Sequence, residues 1–197
     1  MPDWKGKDRF KGIIGHSSSW PENVDIAGKR VAIIGAGSTA IQVMQEASKV
    51  SSHVTQYIRT PNLALPMRQR QISAEEIYSY RPIYPHVFKA CKSTFAGLPT
   101  VGQGKKTFDV DDNERRRIWE EGWKRGGFNW SIGGFSDTLL DANANRAAYN
   151  FWKEKTGPRL RDAKKRSLLV PDEAPYYIGT KRPSLEQDYY VRRISLR

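Results

Sequence analysis

The stretch "RVAIIGAGSTAIQVMQEA", Arg30 to Ala47, decides the fold. Val31–Ile34 is a continuous apolar run, the pattern of a parallel strand covered on both faces. Small residues follow, and the period then turns helical: Ser38–Lys49 places Ile41, Met44, Gln45 and Ser48 along one side. Val54–Ile58 reads as the next strand and stops at Arg59-Thr60-Pro61-Asn62. Strand, turn, helix, strand is one parallel crossover unit, so the chain is α/β with a Rossmann-like βαβ core.

Each position of the turn Gly35-x-Gly37-x-x-Ala40 has a physical reason. Gly35 allows the tight turn, Gly37 leaves the backbone open to a diphosphate, and Ala40 lets the helix pack closely on the strand. The helix N-terminus, where Ser38 and Thr39 stand, offers free N–H groups and a partial positive charge. These features point to dinucleotide binding; the alternative is a tight strand–helix turn with no ligand. The end of the second strand selects the dinucleotide. A carboxylate there would accept from the ribose 2′-OH of NAD or of the adenosine of FAD. Arg59 stands there instead, about 20 residues past the turn, with Thr60 able to add a hydroxyl. A guanidinium fits a 2′-phosphate, which favours NADPH over NADH or FAD; otherwise Arg59 is a solvated strand-end residue.

Working outward, residues 1–28 are irregular and punctuated by Gly6, Gly12, Gly15, Pro21 and Gly28. The crossover unit fills 29–66. From 67 to 175 the pattern is mainly helical, an insertion broken by Pro82, Pro85 and the loop FAGLPTVGQGKK. Within it Asp111-Asp112-Asn113 caps a helix carrying Ile118, Trp119 and Trp123, another helix runs from Asp141 to about Thr156, and Pro158 begins a basic helix. Residues 176–197 return to the first unit.

The 197 residues suit one domain or slightly more, and six Trp, nine Tyr and seven Phe argue against disorder. No stretch reaches the roughly 18 apolar residues of a membrane span. The opening MPDWKGKDRF has no apolar signal core, so a cytoplasmic protein is the default. One cysteine allows no intramolecular disulfide, and with three scattered histidines no metal site is expected. Thirty-three basic against twenty-one acidic residues give +12, which suggests a polyanionic partner. Acidic residues nevertheless interleave with RRR (115–117) and RLRDAKKR (159–166), as on a solvated helix face. A nucleic-acid-binding protein is therefore the remote reading, and no nucleic acid is expected.

Upstream of the turn, Phe10-x-Gly12-x-x-x-His16-x-x-x-Trp20-Pro21 resembles the fingerprint of Baeyer–Villiger monooxygenases, FAD- and NADPH-dependent enzymes that insert oxygen next to a ketone. GGFNWSIGGFSD (126–137) resembles the family's helical insertion. Gly179-Thr180-Lys181-Arg182-Pro183 with Asp188-Tyr189-Tyr190 resembles the return to its NADP domain. The resemblance implies that Arg59, Thr60 and Lys181 contact the 2′-phosphate. It implies that Arg182 is the catalytic arginine facing the flavin peroxide and the nicotinamide, and that His16 couples domain movement. Taken alone, His16 reads as an ordinary hydrogen-bonded histidine, Trp20 as core packing, and Lys181-Arg182 as a solvated basic pair.

The resembled enzymes carry two glycine fingerprints, and the first binds FAD. This chain shows one, which matches the NADP fingerprint, so FAD is expected from the family while its main fingerprint is absent here. The expectation is a Baeyer–Villiger-type monooxygenase sequence acting with O2 on a small-molecule carbonyl compound, present as a fragment or with a missing flavin-domain partner. The alternative is an NADP(H)-binding module without catalysis of its own. N-hydroxylating and sulfur-oxidising flavin enzymes share the general chemistry, but Trp20-Pro21 and Lys181-Arg182 favour the Baeyer–Villiger type.

Overall fold

The computed structural model describes residues 2–192 and the backbone of Ser195 and Leu196; residues 193, 194 and 197 of the basic tail lie outside the described residues. Strand β1 (Arg30–Ile34) runs into helix α1 (Ser38–Val50), and the chain returns as β2 (His53–Tyr57). β1 and β2 pair in parallel along their whole length, from Arg30 opposite His53 to Ile34 opposite Tyr57. The helix makes this possible, since parallel neighbours need a crossover. It buries Ile41, Met44 and Ala47, and Val54 of β2 lies in the same core.

One expectation fails. Val31 and Ile33 are half-buried, but Ala32 is exposed and Ile34 is 65% exposed. β1 is the edge strand of the order β1-β2-β5, where β5 is Ser195–Leu196. The exposed side alternates with the half-buried side, as in a strand covered on one face only. An apolar run does not say whether both faces are covered.

Beyond β2 the chain forms a two-residue strand, β3 (Leu65–Pro66), and then departs. It comes back as β4 (Leu185–Glu186), parallel to β3. Between them lie α2 (Ala74–Tyr80), α3 (Tyr84–Lys92), α4 (Asp112–Arg125), α5 (Asn129–Ile132), α6 (Ala142–Thr156) and α7 (Ala163–Leu169). α2 and α3 bury no residue. α4, α5 and α6 pack through aromatic rings: Phe151 meets Trp119 at 5.3 Å, Trp123 at 5.8 Å and Trp130 at 5.9 Å between centroids. Edge-on and offset rings at these distances add to the gain from burial. The basic helix starts later than Pro158 suggests. Gly157–Arg159 forms a 3-10 turn, Leu160 is extended, and the Asp162 side chain accepts from the Lys165 amide to start α7.

Polar ties join the insertion, the return segment and the crossover unit to one another. The Trp152 indole donates to the Ala64 carbonyl at 2.9 Å. Arg159 meets the fully buried Glu186 at 2.6 Å, and the Tyr189 amide donates to the same carboxylate at 3.0 Å. Gln45, a polar residue in the apolar stripe of α1, accepts from the amides of Gln187 (2.7 Å) and Asp188 (2.9 Å). The buried side chains of crossover unit and insertion form one continuous cluster.

Candidate functional site

The glycine turn sits at the C-terminal edge of β1 and β2, where parallel sheets of this kind take their ligands. The Gly35 amide donates to the Tyr57 carbonyl at 2.9 Å. The Gly35 carbonyl accepts from the buried Gln56 side chain at 2.8 Å, and Gln56 in turn accepts from the Tyr189 hydroxyl at 2.9 Å. Burial pushes the Tyr189 hydroxyl well above the ordinary phenol range, so it stays protonated and remains a donor. The turn is thus fixed from β2 and from the return segment together.

The two glycines differ. Gly35 has φ +122°, which only glycine adopts without strain, and a Cβ there would stand 3.9 Å from that of Ala40. Gly37 has φ −74°, and a Cβ built on it would meet nothing within 4 Å. The fold does not require glycine at 37, because the space above it is open. Gly37 is also the N-cap of α1, with no side-chain cap and no acidic residue in the first turn. α2, α4, α6 and α7 instead begin with Ser73, Asp111, Asp141 and Asp162, each accepting from an amide of its first turn. Among the described residues the first amides of α1 therefore have no side-chain cap, in the arrangement that receives an anion. Ser38 and Thr39 are exposed beside them.

Arg59 is exposed and Thr60 half-buried, two and three residues beyond Tyr57, at the edge that holds the turn. The loop 176–184 reaches the same edge from the far end of the chain. Ser184 donates its amide to the Asn62 side chain at 3.2 Å and accepts from the Leu65 amide at 2.8 Å. Its hydroxyl shares a hydrogen bond with the Ser38 hydroxyl at 3.0 Å. Lys181 lies three residues before Ser184, and three residues span at most about 11 Å. The Lys181 ammonium sits over the Tyr176 ring, 4.5 Å from its centre. Among the described residues, Arg59, Lys181 and Arg182 form no ion pair. The arginines 115–117, by contrast, are engaged by Asp112, Glu114, Glu120, Glu121 and Glu154.

Gly35, Gly37, Ser38, Thr39 and Ala40 thus form the turn, Arg59 and Thr60 follow β2 at the same edge, and Ser184 ties the loop that carries Lys181 and Arg182 to Ser38. It does not tie the upstream fingerprint to them. Phe10 is 59% and Trp20 51% exposed, so Trp20 is not core packing. The hydrogen bonds of His16 are local, to Ser18 at 2.7 Å and in a bridge with Ser19. The Phe10 ring lies against Gly12, and Pro21 against Gly15, close enough that a Cβ on either glycine would clash. Among the described residues no cluster of three or more His, Cys, Asp or Glu could hold a metal, and no helix is long and apolar enough to cross a membrane.

Sequence reasoning missed Gln56, Asn62, Asn145, Tyr176 and Ser184. Gln56 had a signal: with Val54 it is on the buried face of a strand otherwise read as apolar. The others act through contacts far apart in sequence and had none.

No family model matches the chain. Cyclopentanone 1,2-monooxygenase of a Comamonas species is 45% identical over 96% of the chain, which covers 34% of that protein. The FAD-binding monooxygenase acrE of Aspergillus aculeatus is 40% identical over 96% of the chain and 32% of its own length. A protein of Pseudooceanicola batsensis named Baeyer-Villiger monooxygenase is 31% identical over 96% of the chain and 34% of its own. OTEMO crystallised with FAD and NADP superposes on the whole chain with a TM-score of 0.92 at 33% identity, the match covering 39% of that chain. The chain spans about a third of the length of the curated relatives it matches.

Proposed function

The chain belongs to the flavin-dependent Baeyer–Villiger monooxygenases, and from that premise we propose that it holds NADPH for an oxygen insertion next to a carbonyl group. The diphosphate lies on the Gly35–Ala40 turn and the N-terminus of α1. Arg59, Thr60 and Lys181 take the 2′-phosphate. Arg182 supplies a fixed positive charge toward the reacting end, because a guanidinium keeps its proton at any working pH. NADPH supplies a hydride when bound, and FAD supplies the oxygen chemistry; the residues of this chain bind, orient and carry charge. The observation that carries the reading is the Ser38–Ser184 hydrogen bond, which closes the loop bearing Lys181 and Arg182 onto the glycine turn.

The residues fit the dinucleotide for reasons independent of any relative. The space over Gly37 is open, the first amides of α1 lack side-chain partners, and the nearby cations have no carboxylate partner among the described residues. For FAD the chain offers a single glycine turn, and the strand paired beside it, β2, is followed by Arg59. A second reading follows: the chain alone binds NADP(H) without turnover. Titration of the purified 197-residue chain with NADPH, followed by nucleotide fluorescence, tests the first part. Saturable binding is expected, and Gly37→Val is expected to abolish it while the fold is kept. Absence of saturation in the unsubstituted chain would contradict the site. A visible flavin absorbance band in the same preparation would favour the full enzyme over the module.

A further inference from the structure

We infer that Tyr176 and Ser184 are positioning residues that give the site its selectivity for a 2′-phosphate, by fixing the loop that carries Lys181; this rests on the reading of the site as a nucleotide cradle. The loop 176–184 is fastened at both feet to one short segment, 62–65. At one foot the Tyr176 hydroxyl accepts from the Leu63 amide at 2.9 Å. At the other, Ser184 bonds Asn62, Leu65 and Ser38. The crown of the loop is fixed as well. Buried Asn145 accepts from the Ile178 amide at 2.9 Å and donates to the Ile178 carbonyl at 3.0 Å. Thr180 bonds back to Tyr177 through its amide and its hydroxyl.

Two exposed cations, Lys181 and Arg182, project from a loop fastened this firmly. A lysine has four rotatable carbons and is ordinarily costly to order. Here the half-buried Tyr176 ring lies under its ammonium at 4.5 Å. The face of an aromatic ring attracts a cation without neutralising it, so Lys181 is restrained yet keeps its full charge for an incoming anion. Preorganisation of this kind raises affinity by lowering the ordering cost on binding. The benefit is confined to ligands that reach Lys181. NADP+ does so through its 2′-phosphate, and NAD+ has no such group.

The test is calorimetric titration of the full chain with NADP+ and with NAD+. The unsubstituted chain is expected to prefer NADP+. Tyr176→Leu is expected to weaken NADP+ by about fivefold or more, with NAD+ changed less than about twofold. Tyr176→Phe keeps the ring and loses the hydroxyl that accepts from Leu63, so its loss of preference is expected to be smaller than that of Tyr176→Leu. Ser184→Ala is a second variant in case Tyr176→Leu fails to fold; it too is expected to lower the NADP+/NAD+ ratio. In a Lys181→Ala background, Tyr176→Leu is expected to have no further effect on the ratio. Folded Tyr176→Leu and Ser184→Ala with unchanged ratios would overturn the inference while leaving the nucleotide site intact. An unsubstituted chain without NADP+ affinity would instead overturn the reading on which the inference rests.

Discussion

Gly37 and Gly179 show how differently two glycines are required. Gly179 has φ +94°, and a Cβ there would meet Leu139 at 2.0 Å. Gly179→Ala is therefore expected to cost at least about 1–3 kcal/mol, read from the denaturant midpoint. Gly37 stands in open space at an ordinary negative φ. Gly37→Ala is expected to change stability by less than about 1 kcal/mol, the scale of an N-cap exchange, while weakening nucleotide binding clearly. Gln56 belongs to the same scale. Its side chain joins Gly35 to Tyr189 within the core. Gln56→Leu leaves that carbonyl and hydroxyl without partners and is expected to cost about 2–4 kcal/mol in chemical denaturation. The conformation of the turn was legible in the sequence, since Gly35 and Ala40 each had a local requirement. Gln56 carried a signal as a polar residue at a buried strand position, but its partners did not, because they come from the glycine turn and from a tyrosine at the far end of the chain.

At the scale of elements, caps and periods account for what could be read. Asp111 and Asp141 stand directly before apolar-periodic runs, and both cap the helices that follow. Asp141→Ala is expected to lower the stability of the fold by about 1 kcal/mol, with the thermal midpoint as the readout. α1, like α3 and α5, begins without a side-chain cap, and its N-terminus is the one that faces the proposed diphosphate. β3 and β4 escaped the sequence reading because strands of two residues have no period to detect. Within this chain, which spans about a third of the length of its relatives, β1 has a partner strand on one side only. Apolar content reports a preference for burial, whereas the neighbours of a strand are set by topology.

At the scale of the whole molecule, two distant stretches close one site. Ser38 and Ser184 are 146 positions apart and 3.0 Å apart in space. No spacing rule gives that contact; the resemblance pointed only to a return of residues 176–197 to the first unit, and the pairing of β3 with β4 carries the chain there. The Arg159–Glu186 pair holds this return in place, with the carboxylate fully buried. Arg159→Ala leaves that charge with only the Tyr189 amide. A loss of about 3 kcal/mol is expected, along with weaker nucleotide binding as the return segment loosens.

The central proposal is that Arg59 and Lys181, 122 positions apart and without an ion pair among the described residues, grip one phosphate. Calorimetry of NADP+ binding to the unsubstituted chain and to the Arg59→Ala/Lys181→Ala double variant measures it directly. A loss of at least about tenfold, or about 1.4 kcal/mol, is expected, with NAD+ binding hardly changed. Equal affinities of both proteins for NADP+ would contradict it.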